Sequence, residues 1–159
     1  MIKAFKDVFG NNKNVRLKLL VDNLYSNDGM KTTEERLKKY NLESDNIEVI
    51  HFVDRQKYIE LLQTSDVLLS CSRGEGWNLP LIEAIACGIP TICSNWGAQL
   101  EFAKDVSRLV DIKEELPAGE GIEGNFFEPD FEHLKEVMLD VYNNNDRYYK
   151  ISKEKPHTS

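Results

Sequence analysis

Short apolar runs at residues 15–21, 47–53, 67–71, Thr91–Ser94 and 109–112 are separated by segments with apolar residues at helical spacing. Ile2, Phe5, Val8 and Phe9 open the chain on one helical face, which Gly10 stops. Thr32-Thr33-Glu34-Glu35 is a capping-box start for a helix reaching about Tyr40, after a polar loop at 22–31. Further helices are predicted over 58–64 and 79–87, with a helical turn over 99–104. Strands joined through helices run parallel, and right-handed crossovers place the helices on both faces. The predicted fold class is therefore α/β, a doubly wound, Rossmann-like parallel sheet. Its single domain is expected over 1–142. Within it, 113–130 reads as a long irregular loop, because Pro117, Gly119, Gly121, Gly124 and Pro129 punctuate it. Phe131 to Tyr142 returns to helical spacing, and 143–159 reads as a turn and tail.

Charge and cysteine usage narrow the function classes. The net charge is −7, and lysines are interspersed with acids, which argues against a general nucleic-acid surface. A phosphate ligand is not disfavoured, because a helix terminus acts locally. No apolar run is long enough to cross a membrane, and no signal peptide is read ahead of the fold. Cys71, Cys87 and Cys93 lack metal spacing and sit in apolar contexts, so they read as small, reduced, buried hydrophobes in a cytoplasmic protein. No metal site is expected.

Chemistry concentrates in Ser72-Arg73-Gly74-Glu75-Gly76-Trp77-Asn78-Leu79-Pro80-Leu81-Ile82-Glu83-Ala84, followed by Ile85-Ala86-Cys87-Gly88-Ile89-Pro90. A buried strand precedes a glycine-flanked loop, and Pro80 and Gly88 bracket a helix. Strand, loop and helix amino terminus offer unpaired N–H groups to an anion. Glu75 and Glu83, with seven residues between them, frame that place. Carboxylates beside an anion repel it, so their use is to hold hydroxyls. Phosphate next to hydroxyls points to a nucleotide or a sugar phosphate.

This segment resembles the E-x7-E signature of the retaining GT-B glycosyltransferases of the group 1, or family four, type. Glu75, Gly76, Leu79, Pro80, Glu83, Ala84, Ala86, Cys87, Gly88 and Pro90 match in register, and Ser94 to Glu101 supplies the glycine turn and further glutamate. The chain departs from the pattern at Trp77, usually phenylalanine, and at Asn78, usually glycine. Asparagine tolerates the left-handed backbone, so the turn can persist.

The resemblance implies a carboxy-terminal nucleotide-sugar-binding domain of a hexosyltransferase of polysaccharide biosynthesis, acting with retention and without cofactor or metal. It implies that Glu83 accepts hydrogen bonds from ribose hydroxyls and that Glu75 is the catalytic carboxylate beside the donor sugar. Gly74 and Gly76 would let the backbone approach the ligand, with Trp77, Asn78 and Leu79 presenting N–H groups. Glu101, with Gln99, would line the same crevice. Bland readings stand beside these: Glu83 as a helix-dipole partner, Glu75 and Arg73 as solvated loop charges, Trp77 as packing beneath the loop. His51 reads as core or edge, His133 and His157 as helix and tail.

Relatives of this kind carry a strand, and a loop with an arginine and a lysine, ahead of the first helix, besides an amino-terminal acceptor domain. Here the chain opens on the helix. The expectation is a domain without its first central strand, with 15–21 and 67–71 flanking the gap. It would be inactive alone and prone to self-association through that gap. The alternatives are a non-catalytic nucleotide or sugar-binding module and a GT-B sugar-nucleotide epimerase fragment.

Overall fold

Strand and helix alternate as the apolar pattern requires, and the parallel pairings follow. The computed structural model describes residues 1–20, 30–118 and 123–154. Its backbone groups into two compact units, Met1–Tyr58 and Ile59–Ser159.

In the first unit, α1 (Ile2–Phe9) buries Ala4 and Phe5 and stops at Gly10, whose φ is 49°. β1 (Leu17–Leu19) pairs in parallel with β2 (Ile47–Val49), Leu17 facing Ile47. Between them α2 (Thr33–Lys39) begins with the predicted capping box: the Thr32 hydroxyl accepts from the Glu35 N–H, and the Glu35 carboxylate accepts from the Thr32 N–H. Most of the predicted 22–31 loop, with Val21, lies outside the described residues. α3 (Arg55–Gln63) starts three residues earlier than its apolar pattern alone indicates.

The second unit holds a three-stranded parallel sheet in the order β3 (Leu68–Ser70), β4 (Thr91–Ser94), β5 (Arg108–Val110). β4 is central and buried at all four residues, as a parallel strand covered on both faces should be. α4 (Leu79–Ala86) and α5 (Leu100–Ala103) cross between these strands. Leu81, Cys93 and Ala103 form a fully buried cluster, with Leu68, Ile85, Phe102 and Leu109 packed around it. β1 is paired only with β2, and β3 only with β4, among the described residues.

Two expectations are corrected. Residues 113–130 are not an irregular loop: β6 (Ile112–Pro117) and β7 (Asn125–Pro129) form an antiparallel hairpin. Pro117 and Gly124 sit at its closing end and Pro129 at its open end, opposite Ile112, while half-buried Leu116 and Phe126 pair on one face and half-buried Phe127 lies on the other. The predicted strand at 109–112 is thereby divided, with β5 ending at Val110 and β6 starting at Ile112. Nor is 143–154 a turn and tail, while 155–159 lie outside the described residues. After α6 (Phe131–Asn143), whose Leu134, Val137, Met138 and Val141 are buried, the chain forms α7 (Asn145–Glu154). Polar anchors fix α7. The Tyr148 hydroxyl donates to Asp140, which also pairs with Arg108 at 3.1 Å. Ser152 Oγ donates to the Gly88 carbonyl at 3.0 Å, and Lys153 Nζ to the Cys87 carbonyl at 3.2 Å.

Candidate functional site

The motif occupies the carboxyl end of β3, where open α/β sheets bind ligands. β3 ends at Ser70, the loop runs through Gly74, Glu75 and Gly76, and α4 starts at Leu79. Asn78 is the residue before the helix and takes the left-handed conformation, φ 51° and ψ 60°. The turn usually made by glycine therefore survives with asparagine in it. The Asn78 carbonyl accepts from Leu81 and Ile82 N–H at 3.0 and 3.3 Å, and Pro80 has no N–H. Leu79 thus carries the open donor of this helix start. The N–H groups of residues 74–79 donate to no other described group. Gly74, Glu75, Gly76, Trp77 and Leu79 are all exposed, so these donors face solvent or a ligand.

The other end of α4 closes as its glycine predicts. Gly88 has φ 68°, its N–H bonds to Ile85, and the Ile89 N–H reaches back to Ala84. This double closure satisfies carbonyls that a helix end leaves open. Glu83 is half-buried in the second turn of α4, not the first. That weakens the dipole reading, since helix-end electrostatics fade beyond the terminal turn. Four residues from Leu79, it shares that residue's helix face. Trp77 is 58% exposed and so does not pack beneath the loop. Glu101 is exposed in the first turn of α5, which packs beside α4.

Arg73 is not a free cation. Its Nε sits 2.8 Å from Glu128 of β7, its guanidinium lies over Phe126, and its carbonyl accepts the Phe127 N–H at 2.9 Å. The Ser72 carbonyl accepts from the Ser94 hydroxyl and the Trp96 indole at 3.2 and 3.3 Å, while Trp96 stacks on Phe127. The hairpin misread as a loop is therefore the seat of the motif's first residues.

Sequence reasoning also missed a buried amide chain. Gln99, expected to line the crevice, is 1% exposed. Its Oε1 accepts from Asn78 Nδ2 at 2.7 Å, and its Nε2 donates to the Ser94 carbonyl at 2.7 Å. The only sequence signal was a polar residue in each of two segments that β3–β4 pairing brings together.

Cys71, Cys87 and Cys93 are free thiols. Burial pushes Cys71 up to about 12, with nearby Cys93 adding to it, and pushes Cys93 up to about 11. His51 is not core: it is exposed, two residues past β2, and lies 3.1 Å from Glu34. Among the described residues no His, Cys, Asp or Glu cluster has the makings of a metal site. No helix among them is long and apolar enough to cross a membrane.

A family model described as glycosyl transferases group 1 matches residues 1–157. The comparison with curated proteins found no significant match. Among solved structures, the chain is similar to sucrose-phosphate synthase from Thermosynechococcus elongatus. There the TM-score is 0.68 at 18% identity, covering 96% of this chain and 35% of that one. It is similar to Anabaena HepE in complex with UDP-glucose, with TM-score 0.69, 15% identity, and coverage of 95% and 36%. It also resembles the C-terminal domain of a group 1 family glycosyl transferase (LpcC) from Francisella tularensis. That match has TM-score 0.54, 21% identity, and coverage of 76% and 54%. At these identities the likeness is one of fold. The chain spans about a third of the length of the first two structures.

Proposed function

Since the chain belongs to the group 1 glycosyl transferases, we propose that it is the donor-binding part of an enzyme that transfers a sugar from a nucleoside diphosphate with retention. The observation that carries this reading is the open row of N–H donors at residues 74–79, between Glu75 and the half-buried Glu83 at the sheet's carboxyl end. Glu83 accepts hydrogen bonds from the ribose hydroxyls. Glu75 orients the sugar and offsets positive charge developing at its anomeric carbon. The N–H groups of exposed Gly76, Trp77 and Leu79, with that of Asn78 between them, receive diphosphate or sugar oxygens, and exposed Trp77 offers a face to the sugar ring. Glu101, in the first turn of the neighbouring α5, borders the same crevice.

The difficult step is departure of the nucleoside diphosphate. Fixed donors stabilise that leaving charge without having to reorganise. The α4 start supplies the Leu79 N–H and a favourable dipole. Arg73 is already engaged by Glu128, so it orders the loop and leaves phosphate to the backbone. No resident metal enters this proposal. A uridine nucleotide is the natural first probe, because the similar Anabaena protein is described in complex with UDP.

The test is calorimetric titration of UDP into the chain and into Glu83→Gln. Wild type should bind. The variant should keep the fold and lose about 1–3 kcal/mol, as for one charged hydrogen bond. Equal affinities would remove Glu83 from the site. Binding without transfer, in a longer protein containing this domain and offered UDP-sugars, would favour the non-catalytic module.

A further inference from the structure

We propose that Asn78 is a positioning residue: its buried side chain latches the donor loop to the end of β4 through Gln99, which the glycine usual at this position cannot do. The proposal rests on the donor-site reading above. The latch is a continuous chain of hydrogen bonds. The Ser70 hydroxyl, at the end of β3, meets the Asn78 amide, with Nδ2 at 2.8 Å and Oδ1 at 3.2 Å. Asn78 Nδ2 donates to Gln99 Oε1 at 2.7 Å, and Gln99 Nε2 donates to the Ser94 carbonyl at 2.7 Å. Asn78 is 4% exposed and Gln99 1%, so water does not compete for these bonds.

Position and conformation make the arrangement specific. A non-glycine residue in the left-handed region is held there only when its surroundings fix it. Asn78 meets that condition on three sides: the Ser70 hydroxyl, the Gln99 amide, and its own carbonyl, which accepts two N–H groups of α4. The Gly74 end of the loop is held separately by β7, through the Arg73 carbonyl and the Phe126 ring. The open donors lie between these two mounts. Glycine at 78 would keep the turn but free one mount. Ordering the loop would then oppose ligand binding, whereas a preorganised loop spares that entropy.

The experiment compares wild type, Asn78→Gly and Gln99→Met by hydrogen exchange of the Leu81 and Ile82 amides, which donate to the Asn78 carbonyl, and by UDP titration. Both variants should exchange faster at 81 and 82 by about tenfold, the factor one lost buried partner implies. Exchange in α6 should be unchanged. UDP affinity should fall by about three- to tenfold, from lost preorganisation. A core control, Val137→Ala in α6, should lower thermal stability while leaving UDP affinity intact, separating positioning from general destabilisation. Unchanged exchange at Leu81 and Ile82 in Asn78→Gly overturns the latch. Faster exchange with unaltered UDP affinity overturns its positioning role. If wild type binds no UDP, the donor-site reading fails by itself, and the exchange data still decide whether Asn78 holds the loop.

Discussion

Single residues divide this site by what surrounds them. Glu75 is exposed on a loop bordered by glycines, and nothing described pairs with it. Its proposed partner is the sugar, which free UDP lacks. In a longer protein with transfer activity, Glu75→Ala should therefore lower turnover far more than affinity for UDP. Parallel losses in kinetics and calorimetry would place Glu75 on the nucleotide instead. Cys71 and Cys93 show the opposite case. Their thiols are held protonated by burial, at about 12 and about 11 against an ordinary 9.0. An unfolded chain sheds these protons from about pH 9 while the native chain keeps them, so the native state is progressively disfavoured above that pH. Thermal melts should fall between pH 9 and 11, and less steeply in Cys93→Ala measured against its own neutral-pH value. Below pH 9 neither thiol should react with iodoacetamide until the chain unfolds. The carboxylates and glycines of the motif were legible in sequence because their spacing is local. The partnership of Asn78 with Gln99 was not, since it joins segments that meet only after β3 and β4 pair.

At the scale of elements, α4 is held at both ends. Its start rests on Asn78; its end is closed by Gly88 and covered by α7. A Cβ at Gly88 would lie 2.8 Å from Lys153 Cδ, on a backbone with φ 68°. Gly88→Ala should destabilise the chain by about 1–2 kcal/mol from the left-handed conformation alone. It should also push Lys153 from the Cys87 carbonyl, where its charge complements the helix carboxyl end. Chemical denaturation checks the magnitude, and a loss no larger than that backbone strain would mean that α7 is not seated on α4. The elements with strong apolar periodicity, α1, β4 and α6, were read from sequence almost to the residue. The two misread ones lack that signal. α7 is polar and anchored by Tyr148, Ser152 and Lys153 rather than by an apolar stripe. The β6–β7 hairpin hides its strands among glycines and prolines, of which Pro117 and Gly124 mark only the closing end and Pro129 the open one.

For the whole molecule, the fold is an α/β arrangement of parallel sheets, and membership of the group 1 glycosyl transferases rests on a match over nearly the full chain. β1 and β3 each keep one side without a strand partner among the described residues. Open strand edges recruit other strands. Sedimentation velocity over a wide concentration range should show reversible association of this chain, and a monomer throughout would argue that these edges are protected. The buried amides at 78 and 99 also bear on descent. Replacing either alone strands the other in a dry core, whereas exchanging both for glycine and an apolar residue removes the conflict. The two positions are thus epistatic. Lineages should cross between the two states in pairs of changes, and this domain's history should be readable as covariation between 78 and 99.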